Sequence, residues 1–362
     1  MKIALVHDYL NQFGGAERTL LALHEIFPEA PIYTSIYDRE RMPEAFRRMD
    51  IRTSYMDGWP NIYRMHRYYF PFYPGAFESF DLSAYDLIVS SSSAYAKGIK
   101  KPKGARHICY CYTPARFLYR HEDYMREENL PSFFKIILPL ALSGVKKWDQ
   151  KNSQEVDVYI AISKVIQERI RSIYGRKSVI IYPPVNTQLF KPSNEEGNYF
   201  LIVSRLLSYK RIDVAIKAFN VSGYRLKIVG EGPEEGRLRR LAGSNIEFLG
   251  KVKSDAEVRK LYAGCRALVF TGEEDLGLTP LEAAACGRPT IAYAAGGALE
   301  TVIDGKTGIL FKEQNADSIM EAIKKFERMR FDGIEIREHA QHFDQEIFKQ
   351  KIRSFLHENK IL

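Results

Sequence analysis

Ala267-Leu268-Val269-Phe270-Thr271-Gly272-Glu273-Glu274-Asp275-Leu276-Gly277-Leu278-Thr279-Pro280-Leu281-Glu282 is an apolar run that breaks into an acidic, glycine-bearing loop and then restarts with helix formers. A short apolar run bounded by turn signals predicts a buried strand over Ala267–Thr271, and a strand that feeds a helix points to a parallel sheet covered on both faces. Thr279 can cap the helix and Pro280 can open it, which puts Glu282 in its first turn and leaves Glu274 on the loop. That loop lies outside the carboxyl end of its strand, where open α/β sheets take ligands.

The same alternation extends in both directions. Strands are predicted at Asn198–Val203, Tyr224–Val229, Asn245–Leu249 and Thr290–Tyr293, with helices between them. Toward the N-terminus the strands are Lys2–His7, Asp86–Ser90, Arg106–Tyr110, Asp157–Ser163 and Ser178–Tyr182. A helix over Ala16–Phe27 aligns Ala16, Leu20, Leu23 and Phe27 on one face. The fold class is therefore α/β, with two doubly wound parallel sheets. Tyr182-Pro183-Pro184-Val185-Asn186 and the polar run Lys191–Gly197 interrupt the pattern, because paired prolines enforce extended backbone. They divide the chain into domains 1–183 and 184–343. The amphipathic tail, with Phe343, Ile347, Ile352 and Phe355 or Leu356 on one stripe, is expected to pack as helix 344–362 on the first domain.

Composition narrows the classes. The 362 residues are 45% hydrophobic and 27% charged, which excludes a disordered or fibrous chain. The stretch from Phe133 to Val145, interrupted by Lys135 and Pro139, falls short of the roughly 20 apolar residues that span a bilayer. No signal-peptide pattern opens the chain, so a cytoplasmic location is expected. Cys109, Cys111, Cys265 and Cys286 form no C-x-x-C pair and read as buried small hydrophobes. The net charge of +8 favours anionic partners. Trp59–Phe80 mixes aromatics with Arg64, Arg67 and His66, and Lys97, Lys100, Lys101, Lys103 and Arg106 form a basic run; together they suit an anionic membrane surface.

Several sites can carry chemistry. Gly14 and Gly15 precede a helix N-terminus after the first strand and can bring backbone amides to a phosphate. Arg205 and Lys210 follow the first strand of the second half, where cations can neutralise a diphosphate leaving group. Gly230-Glu231-Gly232-Pro233 follows the next strand, with Pro233 suited to the first helical position. Its next glycine, Gly236, comes one residue late for a dinucleotide fingerprint, which argues against nicotinamide binding. The amides near Leu278 and Thr279 can meet a phosphate, and the carboxylates of Glu274 and Glu282 can accept from sugar hydroxyls.

These segments, with Val6-His7-Asp8-Tyr9-Leu10, Gly14-Gly15-Ala16-Glu17, Ile181-Tyr182-Pro183-Pro184-Val185 and Gly296-Gly297-Ala298-Leu299-Glu300-Thr301-Val302, resemble the retaining glycosyltransferases of family 4 over nearly the whole chain. The resemblance is nearest to GDP-mannose-dependent mannosyltransferases. It implies two Rossmann-like domains facing a cleft (GT-B), an N-terminal acceptor-binding domain and a C-terminal nucleotide-sugar domain. The family's E-x7-E motif maps onto Glu274 and Glu282. By resemblance, Glu274 holds hydroxyls of the transferred sugar, Glu282 the ribose, and Arg205 with Lys210 the diphosphate. Gly14, Gly15, Gly230, Gly232, Leu278 and Thr279 then serve the donor, and His7, Tyr112 and Arg116 the acceptor.

No cofactor or metal is expected, since the chain contains no D-x-D pair. The implied partners are a nucleotide sugar, a lipid-linked or glycan acceptor and the inner face of an anionic membrane, without nucleic acid. One departure stands out. Many relatives place a histidine in a Cys-His-Thr-Pro segment, and here Cys111-Tyr112-Thr113-Pro114 puts Tyr112 at that position. Competing readings are a UDP-sugar transferase, an epimerase on the same architecture, and a basic nucleic-acid or membrane-surface binder; the last has no need of paired glutamates beside Arg205 and Lys210.

Overall fold

The computed structural model describes residues 1–119, 132–193, 197–252 and 254–361. Residues 194–196 of the expected polar linker lie outside them. The chain divides into two compact units, Met1–Pro183 with Phe348–Leu362, and Pro184–Ile347.

Unit 1 holds a seven-stranded sheet in the order β3-β2-β1-β4-β5-β6-β7. Its strands are β1 (Ile3–His7), β2 (Ile32–Thr34), β3 (Ile51–Thr53), β4 (Leu87–Ser92), β5 (Arg106–Cys111), β6 (Val158–Ala161) and β7 (Ser178–Ile180). All pair in parallel. Between them run α1 (Gly15–Ile26), α2 (Ser132–Glu155) and α3 (Lys164–Tyr174). Ala4, Val6 and Ile88 pack with Tyr73, Phe77, Tyr95 and Ile99 into one core.

Unit 2 holds a six-stranded parallel sheet, β10-β9-β8-β11-β12-β13. Its strands are β8 (Phe200–Val203), β9 (Leu226–Val229), β10 (Ile246–Gly250), β11 (Leu268–Phe270), β12 (Thr290–Tyr293) and β13 (Gly308–Phe311). The helices are α4 (Ile212–Ser222), α5 (Glu235–Leu241), α6 (Asp255–Gly264), α7 (Leu278–Ala285), α8 (Ala316–Arg328), α9 (Gly333–Gln341) and α10 (Gln345–Glu358), which runs from unit 2 into unit 1. Helix α4 packs against α8 and α7 against α9. Phe200, Ile202, Ile228, Val269 and Ile291 fill the core beneath α4 and α8.

The order of each sheet reverses once, at β1/β4 and at β8/β11. There the chain leaves neighbouring strands in opposite directions and opens a crevice at their carboxyl ends. Those two edges carry the sequence-derived candidates His7, Gly14 and Gly15 in one unit, and Arg205, Lys210 and Glu274 in the other.

The structure corrects several local expectations. Helix α7 starts at Leu278 with Gly277 as its N-cap, so Thr279 does not cap it and Glu282 lies past the first turn. Pro280 is tolerated third because the first helical N–H groups have no intrahelical acceptor. Pro233 likewise sits in the turn before α5 instead of opening it. The buried stripe of α10 uses Phe348, Ile352, Phe355 and Leu356, while Ile347 is exposed. Phe348 packs edge-on against Tyr110 with centroids 5.7 Å apart.

The basic run is a solvated face only in part, since Lys100, Lys103 and Arg106 are exposed. Lys97 is buried and ion-paired to Asp149, whose Oδ2 also accepts from the Tyr119 and Tyr174 hydroxyls at 2.7 and 2.9 Å. Lys101 binds Asp157 at 2.8 Å. Trp59–Phe80 divides instead: Ile62, Tyr73 and Phe77 are core, whereas Met65, Tyr68 and Phe72 are exposed. Among the described residues, no helix is long and apolar enough to cross a membrane.

Candidate active site

In unit 2 the chain leaves β8 through Ser204–Leu207 and makes a single 3₁₀ turn, Ser208–Lys210. Arg205 is exposed on this loop. Lys210 is nearly buried, and its Nζ contacts Glu274 Oε1 from the loop after β11. Its backbone is held as well, since Thr271 Oγ1 donates to the Lys210 carbonyl at 2.7 Å. An ammonium has three donors, so the contact to Glu274 leaves capacity for a phosphate oxygen.

Glu274 is fixed from the other side by Gly296-Gly297. The Gly297 amide donates to the Glu274 carbonyl at 2.8 Å. A Cβ on Gly296 would fall 2.3 Å from that same oxygen, and one on Gly297 would fall 2.1 Å from Leu276 Cα, so this clasp requires glycine. Gly230 and Gly232 do comparable work beneath Arg205: a Cβ there would lie 1.8 Å from the Ser204 carbonyl and 2.3 Å from that of Leu206. The β9 loop thus runs flush against the β8 loop and buttresses it, with Leu206 N donating to the Glu231 carbonyl at 3.0 Å. Leu278 and Thr279 occupy the first turn of α7, half-buried. Glu282 Oε2 accepts from the hydroxyl of the fully buried Tyr262 at 2.7 Å.

In unit 1 the β1/β4 edge holds a buried polar chain. Tyr112 OH donates to the Ala16 carbonyl at 3.0 Å and lies 2.9 Å from Ser91 Oγ, which in turn lies 3.0 Å from His7 Nδ1. A carbonyl only accepts, so the phenol proton points to Ala16; Ser91 then donates to Tyr112, and His7 donates from Nδ1 to Ser91. His7 Nε2 faces Glu17 at 3.7 Å. Burial pushes the Tyr112 phenol well above its ordinary range. Asp8 accepts from the amides of Ala94, Tyr95 and Ala96 at 3.0, 2.7 and 2.7 Å, which ties the end of β1 to the chain after β4.

Gly14 donates its amide to Glu17 Oε2 at 2.7 Å, the half of a capping box that a glycine N-cap allows, so that N–H is committed within the helix. Gly15 opens α1, where helix geometry supplies no intrahelical acceptor for its N–H. Arg116 lies half-buried at the start of the short helix Arg116–Tyr119. Sequence reasoning did not find Ser91, Thr271 or Tyr262 as supports of the site; each works through a contact far along the chain.

Two family profiles match this chain. That of Glycosyltransferase Family 4 covers residues 13–189, and that of Glycosyl transferases group 1 covers residues 186–358. An uncharacterized glycosyltransferase of Methanocaldococcus jannaschii is 29% identical over 49% of this chain and 50% of its own length. A GDP-mannose-dependent monoacylated alpha-(1-6)-phosphatidylinositol monomannoside mannosyltransferase of Corynebacterium glutamicum is 32% identical over 50% of this chain and 56% of its own. A glycogen synthase of Pseudomonas paraeruginosa is 36% identical over 35% of this chain and 26% of its own. The chain thus spans about half, or less, of the curated relatives it matches.

Among solved structures, sucrose-phosphate synthase from Thermosynechococcus elongatus superposes with a TM-score of 0.77 at 18% identity over 100% of both chains. Anabaena HepE in complex with UDP and glucose gives 0.74 at 18% identity over 98% of this chain and 99% of that one. Both establish the fold. The chain belongs to the family 4-like glycosyltransferases of GT-B fold.

Proposed function

We propose that this protein is a retaining glycosyltransferase that moves mannose from GDP-mannose to a hydroxyl of a lipid-linked or cell-surface glycan. The observation that carries the reading is the contact of Lys210 with Glu274 at the β8/β11 edge, with Arg205 on the adjoining loop. Charge grows on the diphosphate oxygens as the glycosidic bond breaks, and fixed cations beside them stabilise that state more than the ground state. Glu274, oriented by its pairing and by the Gly297 clasp, accepts from hydroxyls of the transferred sugar. Glu282 takes the ribose, and the first turn of α7 at Leu278 and Thr279 offers amides to phosphate. In unit 1, Gly15 offers its amide to an anionic group of the substrate, and Arg116 serves the acceptor. The leaving phosphate itself takes the acceptor proton in a front-face attack, so the reaction needs neither an enzymic base nor a metal.

Mannose and guanine are supported by the relatives named as GDP-mannose-dependent. Binding and slow hydrolysis of GDP-mannose against UDP-glucose and other UDP-sugars tests the choice without knowledge of the acceptor. Preference for a UDP-sugar would overturn the donor assignment, and conversion of the sugar to its epimer without acceptor would identify an epimerase. Peripheral membrane contact is proposed through exposed Tyr68, Phe72 and Arg64 of Trp59–Phe80 and the exposed Lys100, Lys103 and Arg106 of the Lys97–Arg106 run, with each cation near anionic lipid adding about 1 kcal/mol. Failure to cosediment with anionic vesicles at low salt would refute that contact.

A further inference from the structure

We infer that Tyr262 is a positioning residue for the nucleotide ribose, acting through Glu282; this rests on the reading that Glu282 receives the ribose hydroxyls. Tyr262 sits on α6 and is fully buried. Its ring meets Phe190 edge-on, with centroids 5.7 Å apart and planes at 82°. Its hydroxyl donates to Glu282 Oε2 at 2.7 Å. A ring locked by packing on all sides gives a fixed direction to that hydrogen bond, and so fixes the carboxylate of a side chain that otherwise turns about several bonds.

The proton stays in place for this role. Burial, and the neighbouring carboxylate of Glu282, both push the phenol well above its ordinary range. Tyr262 is therefore a permanent donor, and the Glu282 carboxylate is the acceptor it aims. A carboxylate has about four lone-pair sites on its two oxygens, so it can accept from Tyr262 and from a ribose hydroxyl at once. The residue never touches the nucleotide in this scheme. It contributes by removing the orientational freedom of the group that does.

The test is a comparison of analogues. Affinities of GDP and UDP, and of their 2′,3′-dideoxy forms, are measured for the full chain and for Tyr262→Phe, Glu282→Ala and the double variant. For the wild type, loss of the diol should weaken the preferred nucleotide roughly 10- to 100-fold, the usual size for hydrogen bonds to a charged group. In Tyr262→Phe the ribose form should weaken by about 3- to 10-fold while the dideoxy form binds as in wild type, so discrimination shrinks. The double variant should match Glu282→Ala. Equal weakening of both forms in Tyr262→Phe, or unchanged discrimination, would overturn the positioning role while leaving Glu282 in place. Wild-type discrimination in Glu282→Ala would instead overturn the ribose reading itself.

Discussion

Removing one oxygen atom, in Tyr112→Phe, separates a supporting role from a chemical one. The ring stays in its buried site, so the change deletes the donation to Ala16, the contact with Ser91 and the hydroxyl's interaction with Thr19. Each such bond contributes about 0.5–1.5 kcal/mol net, and the Ala16 carbonyl keeps the intrahelical partner that its place in α1 gives it, so the variant should lose about 1–3 kcal/mol of stability. Urea denaturation reads this as a lower midpoint at unchanged slope. The sugar-transfer rate should keep at least about a tenth of the wild-type value, because a hydroxyl whose proton is committed to Ala16 is not poised to exchange it with substrate. Glu274→Ala, by contrast, should be nearly inactive. Ser91→Ala should reproduce the stability loss, and the double variant should fall short of the sum by about 0.5 kcal/mol or more, as expected for one connected network. A thousandfold fall in kcat for Tyr112→Phe with folding intact would refute the argument. So would stability identical to wild type.

Other outcomes follow from the same geometry. Arg205→Ala and Lys210→Ala should each lower kcat by about 10²-fold or more in a transfer assay, and activity should persist in excess chelator; normal turnover, or loss restored by Mg²⁺, would contradict the leaving-group role. Lys97→Met leaves Asp149 charged and buried, so thermal or urea unfolding should show a loss of about 3–5 kcal/mol, against no change if the pair were solvated. Burial holds the His107 imidazole down to about 3 and that of His66 to about 4, against an ordinary 6.5. The unfolded chain thus takes up protons first, and stability present above pH 6.5 is lost as pH falls toward those values, by about 4 kcal/mol for the pair at pH 5. Stability unchanged between pH 7 and 5 would show that neither ring is shielded.

The strands that a sequence reader finds are those with an uninterrupted apolar run, such as β4, β8 and β12. The missed ones explain themselves. β3 offers a half-buried Ile51 and then exposed Arg52 and Thr53, because it is an edge strand. β2 follows Pro31 and is three residues long, too short to show a period. β13 opens with Gly308, which reads as a turn but serves to let the strand approach the Thr290 carbonyl, 2.0 Å from where a Cβ would stand. The site was legible to the extent that it lies on strand ends, since hydrophobic runs announce where strands stop. The bonds that orient it were not: Tyr112 to Ser91 spans 21 residues and Tyr262 to Glu282 spans 20. Lys97 misled for the same reason, because its partner Asp149 lies 52 residues away and a local charge count sees only its lysine neighbours.

The tyrosine at position 112 then bears on how the proposed reaction manages its proton. The family resemblance puts a histidine there, a residue that can accept or release a proton near neutrality. In this chain the phenol is buried, its pKa is raised and its proton points at a backbone carbonyl beside the α1 N-terminus. Such a group stabilises the first turn of α1, which Gly15 opens, but has no proton traffic to offer at pH 7. A mechanism in which the departing diphosphate accepts the acceptor's proton has no need of such traffic. It places the catalytic demand on holding and neutralising the diphosphate, a demand that falls on Arg205, Lys210 and the clasped loop of Glu274.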